Sequence, residues 1–362
     1  MKYQLHHLVM AGLAFAMACG GDSVPDPSAP SQDGPGGFSA EDRSALTVMS
    51  RNLYVGANVD AVIAALVSPD PNDDFPALLN AISTLQETDF PTRARAIAGE
   101  IERTRPHAVG LQEVSDIDID LSGYGVPVVL STHFLPILQA ELANRGLQYI
   151  VAAQVTNVQA VPLPGISLID HDVLLVDASR VSLGTLRVEQ NFANNIGVVA
   201  PGVDLKSGWV AVDATIDGQT YIIASTHLAS GSAPGLDQLR AAQAIELAAS
   251  LGSASPALIL GDLNDVPGTA MYQVLRGAGF TDTWTAFRSS EAGLTCCHQA
   301  NLANERAVFD QRIDYIFARG FRQHGQISRV GFAKSERIPG PFHPIWPSDH
   351  AGVVASLSAP LP

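Results

Sequence analysis

The sequence predicts one large α/β domain in which two packed β-sheets are covered by helices. Short apolar runs typical of strands are interspersed with longer runs of helical spacing from residue 46 to residue 357. Hydrophobic residues make up 46% of the 362 residues and charged residues 16%, so the chain can bury a large core. No internal repeat or second linker interrupts this region of the sequence.

The individual elements follow from local patterns. Arg93, Ile97 and Ile101 recur at helical spacing, which predicts one of the helices. Asp217-Gly218 is a strong hairpin-turn signal between two strand-like runs, which we expect to pair. The predicted strands are 46–50, 108–111, 149–155, 172–176, 209–216, 221–226, 257–260, 313–317 and 352–357. The predicted helices are 59–67, 91–104, 134–144 and 236–251.

The N-terminal residues predict export and a tether. Lys2 precedes an apolar run, residues 8–18, which is too short to span a bilayer but suits a signal-peptide core. Small residues precede Cys19, in a loose match to a bacterial lipobox, so we expect a signal peptide over residues 1–18 and a lipid anchor on Cys19. Residues 19–44 are rich in Gly, Pro, Ser and Asp, as flexible tethers are. The alternative is an ordinary cleaved signal and a secreted protein.

The charge of the chain restricts its function. A formal net charge of -15 argues against a basic protein that coats DNA. A nuclease stays open, because bound divalent cations and local arginines offset the field around a phosphate. We expect the folded domain, residues 45–360, to be monomeric.

Polar residues follow the ends of several predicted strands, where loops project them over a rigid base. Glu113 follows a short apolar strand, where a carboxylate is a good ligand for Mg²⁺ or Mn²⁺, although a solvated loop residue has the same pattern. Asp262 and Asn264 are two positions apart, so on an extended chain they face the same side. They could hold a water and a phosphoryl oxygen together, or form an Asx turn.

A second group of polar residues includes two histidines. Asp314 lies within an apolar strand, where a carboxylate is costly without a partner, and His350 or Arg312 could be that partner. Paired with Asp314, His350 would have its tautomer fixed and its charged form favoured. His227 and Asn52 each end a predicted strand, and each taken alone is typical of a structural residue.

Cys296 and Cys297 are adjacent in the sequence. A trans peptide sets neighbouring Cα atoms about 3.8 Å apart, which is below the usual disulfide span of roughly 4.4 to 6.8 Å. A bridge between them is therefore unfavourable, and the chain is not a disulfide scaffold. Together with His298 the pair falls short of a closed zinc site, which favours a structural loop.

The order of these elements carries more information than any one of them. An Asn-ended first strand is followed by Gln-Glu, Thr-His-Leu, Gly-Asp-x-Asn, Arg-Ile-Asp-Tyr and a terminal Ser-Asp-His. This succession resembles the endonuclease/exonuclease/phosphatase superfamily, which includes pancreatic-type deoxyribonucleases, abasic-site nucleases, bacterial sphingomyelinases and inositol polyphosphate 5-phosphatases. The resemblance covers about residues 46–357. It implies a four-layer αββα sandwich, of two mixed sheets, with the site at one edge.

The resemblance also implies roles for residues of the metal shell and the attacking water. Glu113 matches the metal-binding Glu, and Asn52 and Asp349 match residues that complete the metal shell or lie close to it. Asp262 matches the Asp that orients and activates the attacking water. Asn264 matches the Asn that steadies this arrangement and the phosphate. The implied cofactor is Mg²⁺ or Mn²⁺.

The histidines have matches of their own. His350, backed by Asp314, matches the His that contacts the scissile phosphate. His227 matches the His near the leaving group in the deoxyribonuclease-like and lipid-acting branches, whereas abasic-site nucleases carry a Tyr there. This chain therefore departs from the abasic-site branch.

The implied function is metal-dependent hydrolysis of a phosphoester by an activated water, with a phosphodiesterase or nuclease as the main expectation. The alternatives are a phospholipid phosphodiesterase of the sphingomyelinase type and an inositol phosphatase, so the substrate partner is a nucleic acid or a phospholipid. The three Trp are scattered, which disfavours a membrane-inserting aromatic hairpin. A non-catalytic binding module on the same fold predicts loss of Glu113, Asp262 or His350, and the sequence keeps all three.

Overall fold

The computed structural model describes residues 46–358, apart from residues 71 and 323. The predicted signal peptide, the tether and Cys19 lie outside the described residues. Within the described part of the chain, no helix is long and apolar enough to cross a bilayer.

The described strands are β1 (Leu46–Asn52), β2 (Ala108–Asp120), β3 (Val129–His133), β4 (Tyr149–Ala160), β5 (Ile166–Asp177), β6 (Ser182–Asn191), β7 (Gly197–Ala200), β8 (Val203–Leu205), β9 (Gly208–Ile216), β10 (Gln219–His227), β11 (Ala257–Asp262), β12 (Thr281–Asp282), β13 (Asp314–Arg319), β14 (Gly325–Val330), β15 (Ile338–Pro339), β16 (Pro344–Ile345) and β17 (Gly352–Leu357). The described α-helices are α1 (Val59–Val67), α2 (Asp74–Thr88), α3 (Phe90–Thr104), α4 (Phe134–Asn144), α5 (Leu236–Leu251), α6 (Ala270–Gly277) and α7 (Thr283–Phe287). Short 3-10 helices cover Ser122–Tyr124 and Lys334–Glu336.

The strands form two large mixed sheets. The first has the order β14-β17-β1-β2-β5-β4-β8-β7, with β3 paired to β2, and the second has the order β12-β13-β11-β10-β9-β6. Strands β15 and β16 form a separate pair. Each large sheet contains one parallel pair near its centre, β1 with β2 in the first and β10 with β11 in the second.

Three apolar clusters hold the layers together. The cluster between the two sheets includes Val48, Leu174 and Ile223, side chains that point inward from opposite sheets. Helices α3 and α4 pack on the outer face of the first sheet, and α5 and α6 pack on that of the second. The order of layers is therefore helix, sheet, sheet, helix, which confirms the predicted α/β sandwich.

Several elements differ from the sequence prediction. Strand β2 continues to Asp120, far beyond the predicted end at residue 111, because a bulge at Glu113 lets the strand bend and pair onward. Helix α2 was not predicted, although Leu78, Ile82 and Leu85 recur at helical spacing and pack on the core. Strand β6 was also not predicted, because its side chains are mostly exposed and show no alternation.

Candidate functional site

The predicted site residues meet at one edge of the sandwich. The carboxyl ends of β10 and β11 bring His227 opposite Asp262, and antiparallel pairing of β11 with β13 brings Asp262 opposite Asp314. These three residues therefore form a row across three neighbouring strands. Asn52 ends β1 of the other sheet at the same edge.

Asn52 links the two sheets at this edge. Its Nδ2 donates to Glu113 Oε1 at 2.9 Å and to Asp262 Oδ2 at 3.1 Å. Its Oδ1 accepts from the Tyr54 N–H at 2.8 Å. One fully buried amide therefore fixes a carboxylate from each sheet in a common orientation.

Glu113 is aimed at the site by a local break in the sheet. The register between β2 and β5 shifts between Leu111 and Val114, and Glu113 takes a left-handed φ of 54°. This conformation is uncommon for a residue with a side chain and is typical of functional sites. Glu113 Oε2 accepts from the Val55 N–H at 2.7 Å, so both carboxylate oxygens are held.

Asp262 lies at the centre of the cluster and is 1% exposed. Its Oδ1 accepts from the Asn264 N–H at 2.9 Å, and Asn264 has a left-handed φ of 51°, which Asn tolerates well. Asp262 Oδ2 lies 3.6 Å from His227 Nε2 and 3.8 Å from His350 Nε2. Burial and the nearby Asp314 raise the pKa of Asp262, and the two histidines oppose that rise.

His350 is paired with Asp314. His350 Nδ1 donates to Asp314 Oδ2 at 2.8 Å, which leaves Nε2 as the nitrogen that faces the site. Burial by itself lowers the pKa of His350, but Asp314, Asp349 and Asp262 outweigh it and hold the pKa well above its ordinary value. Arg312, the competing partner, is 2.8 Å from Asp282 instead. The charged form of His350 is thereby favoured.

His227 occupies the opposite side of Asp262. Asn264 Nδ2 donates to the carbonyl of Leu228 at 3.0 Å and lies 2.8 Å from His227 Nε2. Burial lowers the pKa of His227, but Asp262 and Asp172 lead a group of carboxylates that raise it overall. The charged form of His227 is thereby favoured, and a histidine held beside a carboxylate is suited to act as a general acid.

The carboxylates of the site fit a hard divalent cation. Burial raises the pKa of Asp349 to about 7, with Glu113 adding to the rise while His350 opposes it. Such repulsion between buried carboxylates falls when a divalent cation binds their oxygens, the ligands that Mg²⁺ and Mn²⁺ prefer. Glu113, Asn52 and Asp349 are therefore chemically suitable for that cation.

Ionisable ligand atoms come within 4.8 Å of one another in two groups of the described residues: Asp262, Asp314 and His350, and Cys296, Cys297 and His350. Neither group contains Glu113 or Asp349. In the first group, Asp314 Oδ2 and His350 Nδ1 already share a hydrogen bond, which favours a proton-bearing pair over a metal shell.

Arg93 lies beside the site, although its sequence position predicts only a helix. It is fully buried and donates to the carbonyls of Leu53, Tyr54 and Thr88. It thereby supports the loop whose Val55 N–H holds Glu113. Arg93 shares the apolar face of its helix with Ile97 and Ile101, and this position is a sequence signal for a buried arginine with a specific partner.

Asp170 and Asp172 also belong to this region, and they are buried between the sheets. Burial, with Glu113 and Asp172 adding to it, raises the pKa of Asp170 to about 8. Burial raises the pKa of Asp172 to about 7, although His227 opposes the rise. Their position in line with Leu174, which faces the core, is the sequence signal for burial.

The cysteine loop differs from the sequence prediction. The peptide between Cys296 and Cys297 is cis, with 3.0 Å between the Cα atoms, and the two sulfur atoms are bonded. The prediction assumed a trans peptide. His298 does not join the cysteines, because it stacks on Trp346 at 4.3 Å between ring centroids, and its Nδ1 contacts Asn304.

Among solved structures, the endonuclease/exonuclease/phosphatase from Beutenbergia cavernae DSM 12333 is similar over 88% of this chain and 72% of its own, with 21% identity and a TM-score of 0.55. D. rerio TDP2 complexed with a single-strand DNA product is 16% identical over 87% of this chain and 100% of its own, with a TM-score of 0.52. The mannosyl-6-phosphatase Bt3783 of Bacteroides thetaiotaomicron is 16% identical over 86% of this chain and 99% of its own, with a TM-score of 0.51. These likenesses show the fold.

Curated protein sequences give no match. Among protein families, residues 79–350 match the Endonuclease/Exonuclease/phosphatase family, whose members are phosphoester hydrolases. The matched region is more than half of the chain and contains every site residue described above except Asn52 and its neighbours in the loop after β1. The fold and the family match therefore agree, and the chain belongs to the Endonuclease/Exonuclease/phosphatase family.

Proposed function

We propose that this protein is a metal-dependent phosphodiesterase that cleaves nucleic acid by attack of an activated water. One observation carries the proposal: Asp262 Oδ2 lies within 3.6 Å and 3.8 Å of the Nε2 atoms of His227 and His350. A carboxylate flanked by two imidazoles provides a base for water, a donor for a phosphate oxygen and an acid for the leaving oxygen in one place. The D. rerio TDP2 structure, which holds a single-strand DNA product, supports nucleic acid as the substrate class.

In this proposal Asp262 accepts a proton from the water that attacks phosphorus. Asn264 and Asn52 hold the carboxylate in place through their hydrogen bonds at 2.9 Å and 3.1 Å. A divalent cation held by Glu113, with Asn52 and Asp349 beside it, would neutralise charge on the phosphate oxygens. These side chains are held by hydrogen bonds before substrate arrives, which reduces the reorganisation needed during the reaction.

His350 and His227 have different roles in this proposal. His350 keeps a proton on each nitrogen, because Asp314 stabilises its charged form, and Nε2 donates to a phosphate oxygen. His227 protonates the leaving oxygen as the bond to phosphorus breaks. A positioned acid of this kind typically contributes about 10²–10⁴-fold to the rate.

Plasmid nicking tests the proposal. Purified protein is incubated with supercoiled DNA and Mg²⁺ or Mn²⁺, with and without EDTA, beside Asp262→Ala. Nicking that needs the metal and is lost in the variant supports the assignment of Asp262. Absence of nicking with both metals would reject the nuclease hypothesis.

A phospholipid phosphodiester is the second candidate, because an apolar cavity adjoins the site. Val55, whose N–H holds Glu113, forms part of its wall. The cavity passes between α1, α2 and the first sheet, and its lining includes Val59, Ile63, Leu78, Ile82 and Ile119. An acyl chain in this cavity would place a lipid phosphate near Glu113. Release of the headgroup from phospholipid vesicles, without plasmid nicking, would favour this candidate over the nuclease.

A further inference from the structure

A pair of cysteines lies against the substrate-facing nitrogen of His350. Cys297 Sγ is 3.8 Å from His350 Nε2, and the ligand atoms of Cys296, Cys297 and His350 lie within 4.8 Å of one another. We propose that the reduced cysteine pair and His350 Nε2 bind a thiophilic divalent cation, such as Zn²⁺ or Cd²⁺, and that this cation inhibits the enzyme.

The donor set has the chemistry of a zinc site. Thiolate and imidazole are the ligands that Zn²⁺ and related soft cations prefer, whereas Mg²⁺ and Mn²⁺ prefer the carboxylates on the other side of His350. Zinc bonds of about 2.3 Å to sulfur and about 2.1 Å to nitrogen, at a tetrahedral angle, require a separation of about 3.6 Å between the two ligand atoms. The observed distance from Cys297 Sγ to His350 Nε2 is 3.8 Å. Three protein ligands leave the fourth position open.

The backbone holds the cysteine loop in register with His350. The Thr295 carbonyl accepts from the Ala351 N–H at 2.8 Å, and the Asp349 carbonyl accepts from the His298 N–H at 2.9 Å. These bonds flank the cysteines on one segment and His350 on the other. One cysteine is buried and the other is exposed, so a cation can enter from solvent.

The site operates only after reduction, because the two sulfur atoms are bonded to each other in the structure. A phosphine reductant breaks the S–S bond, takes an oxygen from water to become a phosphine oxide, and leaves two thiols. Binding of one divalent cation then releases both thiol protons as two metal–sulfur bonds form. The bond from His350 Nε2 completes the protein ligands and requires that nitrogen to give up its proton.

Inhibition follows from the choice of nitrogen. His350 Nδ1 is engaged by Asp314, so a cation on Nε2 removes the only donor that His350 has for a phosphate. This part of the inference rests on the proposed function. The binding part does not, and it can be measured in a protein that cleaves nothing.

The test is a Cd²⁺ titration of the full-length chain, reduced with a phosphine, in the presence of excess Mg²⁺. Thiolate-to-cadmium absorption reports binding, and phosphodiester cleavage is measured on the same samples. The chain has three cysteines, so Cys19→Ser is the matched control for Cys297→Ser. Loss of an outer-shell partner alone costs roughly 10–100-fold in metal affinity, so loss of a thiolate should cost at least about 100-fold.

We expect the reduced wild type and Cys19→Ser to show the absorption and to lose activity in proportion to it. Cys297→Ser should bind Cd²⁺ at least about 100-fold more weakly and, at the same Cd²⁺ concentration, keep the Mg²⁺-supported activity that it has without Cd²⁺. Unreduced wild type should show no absorption. Absent absorption in the reduced chain, or equal absorption in Cys297→Ser, overturns the site. Normal absorption with unchanged cleavage overturns the inhibition alone, and absorption without cleavage in any sample rejects the proposed function and leaves the site standing.

Discussion

Two regions of this protein bury charged side chains, and they treat that charge in opposite ways. Beneath α3, Arg51 and Glu100 form a closed pair: Arg51 Nε lies 3.0 Å from Glu100 Oε2, and Nη2 donates to Oε1 at 3.1 Å. At the edge of the sandwich, carboxylates from both sheets surround two imidazoles. Burial raises the pKa of Glu100, which Arg51 opposes, and it likewise raises the pKa values of Asp349 and Asp262 at the site, so the two regions differ in how the charges are paired.

The difference separates structure from function. In the paired region each buried charge has an opposite partner, as expected where ions serve only the fold. In the site, carboxylates outnumber their cationic partners, and such unbalanced clusters are typical of catalytic and metal-binding positions. The two regions touch, since Arg51 Nη1 donates to the carbonyl of His350. The Arg51–Glu100 pair therefore helps to hold the loop that carries His350.

The largest expected effect comes from neutralising the central carboxylate of the site. Asp262→Asn should lower kcat by about 10²–10⁴-fold, the usual contribution of a positioned base. The free energy of unfolding should fall by no more than about 1 kcal/mol, because one hydrogen bond is altered and a repelled charge is removed. Steady-state kinetics and urea unfolding on the same preparation measure both. A large loss of stability would mean that Asp262 serves the fold.

Breaking the Arg51–Glu100 pair should have the opposite effect, a large loss of stability. Glu100→Gln leaves Arg51 as an unpaired buried cation, so the free energy of unfolding should fall by about 3–5 kcal/mol. The matched control is Glu102→Gln on the same helix, whose pair with Arg145 lies at the surface, and it should cost less than about 1 kcal/mol. Urea unfolding distinguishes the two variants. Equal losses of stability in the two variants would mean that the buried pair contributes no more than the exposed pair.

His107 is a third buried ionisable group, and it is held in its neutral form. Burial, aided by Arg180, lowers the pKa of His107 to about 4, and its Nδ1 accepts from the Thr47 N–H at 3.1 Å. Because the unfolded chain binds this proton first, stability falls as pH drops from about 6.5 to about 4, by about 3 kcal/mol in all. His107→Asn, whose Oδ1 can replace Nδ1, should flatten that slope. An unchanged slope would assign it to other groups, such as His298.

The smallest expected effect is that of Mg²⁺, which would supply positive charge to the carboxylates of the site. Mg²⁺ at 100 times its dissociation constant should raise the free energy of unfolding by about 2.7 kcal/mol, because it binds only the folded site. Urea unfolding in Mg²⁺ and in EDTA measures the difference. Glu113→Gln should abolish most of the Mg²⁺ dependence and leave the stability in EDTA nearly unchanged. Equal stability in Mg²⁺ and EDTA would contradict a cation site on these carboxylates.

Much of the fold was predictable because it follows local rules. The helix that carries Arg93, the hairpin at Asp217-Gly218 and the buried strands all have the periodicity that burial on one face requires. Strand β6 was not predictable, since it is mostly exposed. Helix α2 has the helical spacing of Leu78, Ile82 and Leu85 and could have been predicted. The bulge at Glu113 has no periodic signature, because a single residue is added to a strand that otherwise pairs normally.

The sequence alone determined the residue types and their order. Asn52, Glu113, His227 and Asp262 follow the ends of predicted strands, Asp314 lies within one, and Asp349 and His350 precede the last one. Only the tertiary structure decided which atoms meet. Strand register set Asp262 between His227 and Asp314, and sheet packing brought Asn52 to both Glu113 and Asp262. Packing also placed His350, and not the adjacent His298, beside the cysteine pair. Contacts between distant segments depend on register and on how the layers stack, and local periodicity encodes neither.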